Sequence, residues 1–194
     1  MNEKTQLLGM IAGKNRGILA TESDRLEIAV AIERLEALNP TPHPLTATSL
    51  LEGNWRLLYT TSKGILGLER FPGFKLGQIY QAIRLEGSRI YNIAEIVGIP
   101  FLEGIVSVAA SFEPVSDTRV KVNFNRSIIG LQKVINYQSL NQFIEAIEQQ
   151  KRFPPLDFPI TRSEQKGWLE VTYLDQDMRL GRGNEGNVFV LTKN

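Results

Sequence analysis

The sequence predicts a mainly β fold, an antiparallel β-barrel of about eight to ten strands with short N-terminal helices and one late helix. Two observations carry this. Short stretches of alternating apolar and polar residues follow one another from Asn54 to Thr192, the period of a half-buried strand. Turn-forming clusters rather than long helices separate most of them, which points away from a parallel βαβ sheet. An antiparallel sheet of this size curls and closes, removing its exposed edges. A barrel of about eight strands either packs solid or encloses one small ligand.

Composition narrows the partners. The chain has 194 residues, enough for one β-rich domain with a short extra element or for two small domains. Lys plus Arg number 22 against 21 Asp plus Glu, a net charge of +1 that suggests no obligatory nucleic-acid partner. Without cysteine there is no disulfide framework, thiolate nucleophile or cysteine metal site. No cofactor motif and no metal motif is found. The apolar run in MNEKTQLLGMIAGKNRG is too short for a signal-peptide core. No stretch reaches the roughly 18 apolar residues of a spanning helix. The expectation is an intracellular protein, soluble or peripherally attached.

Taken in order, residues 4–12 form a short helix with Leu7, Leu8 and Ile11 as its apolar patch, ended by Gly13 and Gly17. A second helix runs from Glu22 to about Leu38, capped by Thr21 with Asp24 at N3. Its stripe of Leu26, Ala29, Ile32 and Leu35, widened by Ile28 and Leu38, needs a surface to lie on. Three prolines in NPTPHP make residues 39–44 an extended linker, with His43 as an exposed linker residue that has no partner motif for a base or ligand role. The division expected is a helical extension with its linker over 1–48, packed on a barrel domain over 49–194.

The first strand starts at LEGNWRLLYTT, where Gly53 allows a sharp entry and Trp55, Leu57, Tyr59 and Thr61 face inward. Strands follow over 76–85, 89–97, 104–112 and 119–127; Gly130 breaks the pattern and 131–137 resumes it. Ser139 to Gln142 opens a helix to about Gln149 with Phe143, Ile144 and Ile147 on one side. An extended crossing over 152–159 leads to strands at 168–174, 178–181 and 187–192. The loop Ser62 to Gly73, with Ile65, Leu66, Leu68 and Phe71, and then Phe74, has two readings. It folds back to plug the domain, or it forms a lid or a membrane-facing tip.

Candidate chemistry is sparse. GRGNEG at 181–186 is followed by a strand rather than a helix, so it reads as a hairpin turn and not a phosphate loop. Asp175 and Asp177 are the close carboxylate pair of interest, but neither a histidine nor a metal motif accompanies them. They read as turn caps with a salt bridge to an arginine. Arg179, between apolar Met178 and Leu180, is placed to point inward and stack on Trp55. Its alternative role is to bind a carboxylate or phosphate head group. Arg84, Arg126 and Tyr137 are candidates for orienting a head group at the barrel mouth.

LEGNWRLLYTTS and YLDQDMRLGRGNEGNVFVL resemble the plastid lipid-associated protein family, also called fibrillins or plastoglobulins. The layout of short N-terminal helices before one domain fits as well, so the resemblance covers nearly the whole chain and is to a cyanobacterial member. It implies a lipocalin-like barrel, in which Gly53-x-Trp55 is similar to the lipocalin Gly-x-Trp signature and Arg179 to the arginine packed over that tryptophan. It further implies binding or structural handling of a lipid, carotenoid or quinone under photooxidative stress, without catalysis. The location implied is peripheral, at a thylakoid membrane on its cytoplasmic side or at a lipid globule. A barrel that serves only as a protein-interaction scaffold, and a lipid- or isoprenoid-modifying enzyme, are the alternatives.

Overall fold

The computed structural model describes residues 2–67, 75–98, 100–161 and 166–194. These form strands β1 (Gly53–Thr60), β2 (Lys75–Arg84), β3 (Arg89–Val97), β4 (Gly104–Pro114), β5 (Arg119–Leu131), β6 (Leu156–Pro159), β7 (Lys166–Leu174), β8 (Met178–Gly183) and β9 (Val188–Lys193). The helices are α1 (Glu3–Ile11), α2 (Glu22–Glu36), α3 (Thr48–Leu51), α4 (Lys63–Leu66), α5 (Gln132–Ile135) and α6 (Leu140–Glu148).

The sheet runs β4-β3-β2-β1-β9-β8-β7-β5-β6, and β4 also pairs with β5. Eight of the nine described strands therefore close into an antiparallel barrel, with the first strand beside the last. The ninth, β6, lies outside that ring. It takes the edge of β5 from Arg126 to Ile129, while β7 takes the same edge from Arg119 to Asn123.

Three buried clusters hold the molecule. The first fills the closed end of the barrel with Trp55, Leu57, Ile83, Phe112, Val120 and Leu174. The second lies outside the wall, where Leu7 and Ile11 of α1 and Ile28, Ile32 and Leu35 of α2 cover Tyr59, Tyr173, Leu180 and Val190. The third lies outside the opposite wall, where Phe143, Ile144 and Ile147 of α6 cover Tyr91, Ile93, Ile105 and Ile128. Both faces of the sheet are thus apolar over much of its area, unlike a sheet with one solvated face.

That double coverage explains where simple alternation fails. Leu57 pairs with Leu191, but Tyr59 pairs with Val190, so a bulge falls at Leu58. The extra residue turns Tyr59 away from the barrel and under the helices, correcting its expected inward position. A second bulge, between Val171 and Tyr173, sends Val171 inward and Tyr173 outward. On α2 the buried residues are Ile28, Ala31, Ile32 and Leu35, whereas Leu26 is 68% exposed and Leu38 63% exposed. The stripe is rotated from the expected one.

Gly130 does not break its strand. β5 continues to Leu131, and residues 132–135 form a helical turn rather than a further strand. A Cβ at Gly130 would sit 2.8 Å from Ile135 Cγ2 and 2.9 Å from the Pro154 carbonyl, so close approach requires glycine there. Gly53 is required by conformation: its φ is +136°, and Lys193 Cε lies 3.0 Å from where a Cβ would stand.

The linker after α2 is fixed to the base of the barrel. Asn39 accepts from the Leu174 backbone N–H at 3.0 Å, and the Thr41 hydroxyl donates to the Leu174 carbonyl at 2.7 Å. Leu45, Ala47 and Leu50 pack against the inner cluster, and Leu51 is buried in it. The base is therefore plugged by the linker and α3.

Candidate functional site: a hollow above a sealed base

Above the plug the barrel is open. A cavity of about 730 Å³ is lined by residues including Leu57, Ile79, Val108, Phe124, Leu169 and Phe189. This volume lies within the range of about 300–1,000 Å³ of small-molecule sites. Ile65 of α4 borders it near the mouth, and Trp168 lies on the opposite side.

The base carries the one charge inside the barrel that the described residues show as buried. Arg179 is 1% exposed, and its guanidinium carbon lies 5.0 Å from the Trp55 ring centroid. The Trp55 indole N–H donates to the Leu51 carbonyl at 2.9 Å, fixing the ring against the plug. Lys193 Nζ approaches the same ring at 5.3 Å. Burial lowers the Arg179 pKa to about 9, so the group stays charged at neutral pH. Among the described residues no carboxylate meets it; Arg179 Nη2 donates to Gln81 Oε1, while Nε and Nη1 are buried without a partner.

The other candidates lie elsewhere. Arg84, at the base end of β2, donates to Asn54 Oδ1 at 2.9 Å and borders a shallow polar hollow with Glu52 and Lys193. Arg126 sits on the outer wall, holding Asp157 through Nε at 2.9 Å and Nη2 at 2.7 Å and donating to the Ile147 and Lys151 carbonyls. That guanidinium keeps Asp157 below the usual carboxylate range. Tyr137 packs edge-on to Phe143 and donates to Glu95 at 3.0 Å; burial, with Glu95 beside it, raises its pKa. None of these three is among the residues lining the cavity. Leu66 is described only in its backbone, and Leu68, Phe71 and Phe74 lie outside the described residues.

Asp175 and Asp177 cap a turn, but their cation is Lys4 of α1 rather than an arginine. Lys4 reaches Asp175 at 2.7 Å, and Asp175 also accepts from the Tyr173 hydroxyl and from the backbone N–H groups of Asp177 and Met178. Burial alone would raise the Asp175 pKa; these donors outweigh it and hold the carboxyl well below its usual range. The pair is thus engaged in structure. His43 is exposed as expected and meets Asp117, equally exposed, at 2.9 Å.

Sequence reasoning passed over one feature of the lining. Ladder register places Trp55 beside Gln81, Gln81 beside Asn92, Asn92 beside Val108 and Val108 beside Ser127. Gln81, Asn92 and Ser127 thus form a polar row across an otherwise largely apolar wall. The available signal was a polar residue at an inward position in three of the four alternating stretches from β2 to β5, with apolar Val108 on β4 between them.

Fold and site together define a closed antiparallel barrel with a hollow apolar interior and a sealed, positively charged base. The chain belongs to the PAP_fibrillin family, whose model matches residues 1–192. It is 34% identical to the chromoplast-specific carotenoid-associated protein C1 of an Oncidium hybrid cultivar, over 98% of this chain and 68% of that one. It is 33% identical to a light-induced chloroplastic protein of Solanum tuberosum, over 98% of this chain and 66% of that one. A plastid-lipid-associated protein of Citrus unshiu is 32% identical, over 99% of this chain and 68% of its own. The chain thus spans about two thirds of the length of these relatives. No solved structure matches it.

Proposed function

We propose that this protein is a non-catalytic carrier or structural protein that holds a hydrophobic small molecule, of the lipid, carotenoid or quinone class, in its barrel. The carrying observation is the apolar cavity of about 730 Å³ above a plugged base. The driving force is burial of apolar surface, about 25 cal/mol per Å². The names of the relatives, carotenoid-associated and plastid-lipid-associated, support a lipid or carotenoid ligand, and the name light-induced supports a role tied to light; action under photooxidative stress is part of the same proposal.

The place of action is a thylakoid membrane or lipid-globule surface, met peripherally. No helix among the described residues is long and apolar enough to cross a membrane. At the open end, however, apolar side chains face outward: Phe101 is 75% exposed and Val134 54% exposed, with Leu102 and Ile129 nearby in the fold. Lys133 Nζ stands 5.7 Å from the Phe101 ring, suited to an anionic surface.

Mass spectrometry of lipids and pigments co-purifying with the native protein tests the ligand reading. Stoichiometric recovery of one apolar class is expected; a protein that purifies empty and takes up none of these classes overturns it. Flotation with vesicles rich in anionic lipid tests the location. Phe101→Asp with Leu102→Asp should abolish flotation while leaving the barrel folded.

A further inference from the structure

The row of polar groups inside the barrel has a fixed direction. Arginine carries only N–H donors. Arg179 Nη2 can therefore meet Gln81 only at its carbonyl oxygen, which is the contact seen. Gln81 must then turn its amide nitrogen the other way, and Nε2 donates to Asn92 Oδ1 at 2.9 Å. Asn92, having accepted with its oxygen, presents Nδ2 to the cavity that it lines. Among the described residues that nitrogen has no hydrogen-bond partner. The assignment of both amides follows from the arginine and leaves no freedom for a flip.

The buried charge strengthens the arrangement. Gln81 Oε1 is drawn to the guanidinium, and polarisation along a chain of hydrogen bonds makes the terminal donor stronger. Arg179 itself is sealed from the cavity at 1% exposure, so the chain conveys its field without exposing the charge. Ser127 follows beyond apolar Val108 along the ladder, and the remaining lining is largely apolar.

We infer that the cavity takes an apolar molecule carrying a hydrogen-bond-accepting oxygen, inserted head first, with that oxygen held by Asn92 Nδ2. This rests on the carrier reading above and specifies the ligand's head. A purely hydrocarbon end in the same place leaves a buried donor unpaired, which a cavity selecting for hydrocarbon would avoid. A donor-only head, such as an ammonium, meets N–H with N–H.

Three probes on one ring system test it: acetonaphthone, ethylnaphthalene and naphthoate. The first two differ chiefly in one carbonyl oxygen. Binding is followed by quenching of tryptophan fluorescence, since Trp168 lines the cavity. Acetonaphthone should bind the wild-type protein about tenfold more tightly than ethylnaphthalene. Asn92→Leu should erase that advantage and leave ethylnaphthalene binding in place. Asn92→Asp keeps the side-chain shape and the acceptor for Gln81 but has no donor, and should erase it too; circular dichroism melting checks that each variant is folded. Equal affinity for the two probes in the wild-type protein overturns the assigned head while the carrier reading stands. If neither probe binds, the carrier reading itself falls. Naphthoate binding above acetonaphthone identifies the accepting head as a carboxylate, and binding below it identifies a neutral carbonyl; both presuppose the Asn92 donor and must be lost with it.

Discussion

Arg179 is a buried cation whose hydrogen-bonded partner is a neutral amide. Two effects oppose each other when it is replaced by Met. The variant relieves two buried N–H groups that have no partner. It also removes the stacking on Trp55, worth about 2 kcal/mol when desolvated, and leaves Gln81 Oε1 unpaired at about 1–3 kcal/mol. The relieved N–H groups, at about 1–3 kcal/mol each, offset most of that, and the shorter Met side chain leaves space beside Trp55, so Arg179→Met should lower stability in urea by no more than about 2 kcal/mol. Adding Gln81→Leu removes the unpaired oxygen and should restore part of the loss. A single variant at least as stable as wild type would show that Arg179 is kept for the ligand and not for the fold. The inward direction of Arg179 was legible, because Met178 and Leu180 flank it on the opposite strand phase. The identity of its partner was not, since nothing local to Arg179 points to Gln81, which lies 98 positions away.

Among the elements, α1 is held by the packing of Leu7 and Ile11 on the barrel wall and by one ion pair that spans a long sequence separation. Lys4 bonds the β7–β8 turn at Asp175 and Asp177, 171 and 173 positions away. Asp175 has a native pKa lowered below its unfolded value. The unfolded chain therefore binds the proton first, and stability rises with pH in the window between the two values. The contribution is complete above the ordinary aspartate range, near about pH 4, and is lost as pH falls through the lowered native value. Asp175→Asn should flatten the fall in stability below about pH 4 while lowering stability at neutral pH. An unchanged acid limb would show that Lys4 does not hold the turn in solution. The existence of α1, α2, α6 and most strands was readable from periodicity and caps, and Thr21 and Asp24 form the expected capping box; the single turns α4 and α5 were read as loop and strand. The bulges at Leu58 and Thr172 were not. A bulge shifts the phase of a strand by one residue, and Leu58 and Tyr59 look alike to an alternation count when both faces of the wall are buried.

At the scale of the whole molecule, the closed antiparallel barrel was legible from strand number and spacing, and its base plug was not. NPTPHP reads as a linker because prolines forbid a helix, while the bonds from Asn39 and Thr41 to Leu174 are tertiary. The division of cores yields a paired prediction. Ile105 is fully buried under α6, so Ile105→Ala should cost about 2–5 kcal/mol in urea unfolding. Val108, three residues along the same strand, faces the hollow and is half-buried. Val108→Ala opens an existing space instead of creating one, and should cost less than about 1 kcal/mol while altering ligand affinity. Comparable losses from both would mean that the interior is packed in solution.

The two helical layers act as hoops on a cask. They hold the staves from outside, so the staves do not depend on what the vessel contains. Filling and emptying then require no refolding of the wall, and occupancy adds stability only by mass action. The lining is left as the part of the molecule that substitution can rewrite with least effect on folding. One vessel can thus be refitted for different contents by changing a few inward residues of β2 to β5.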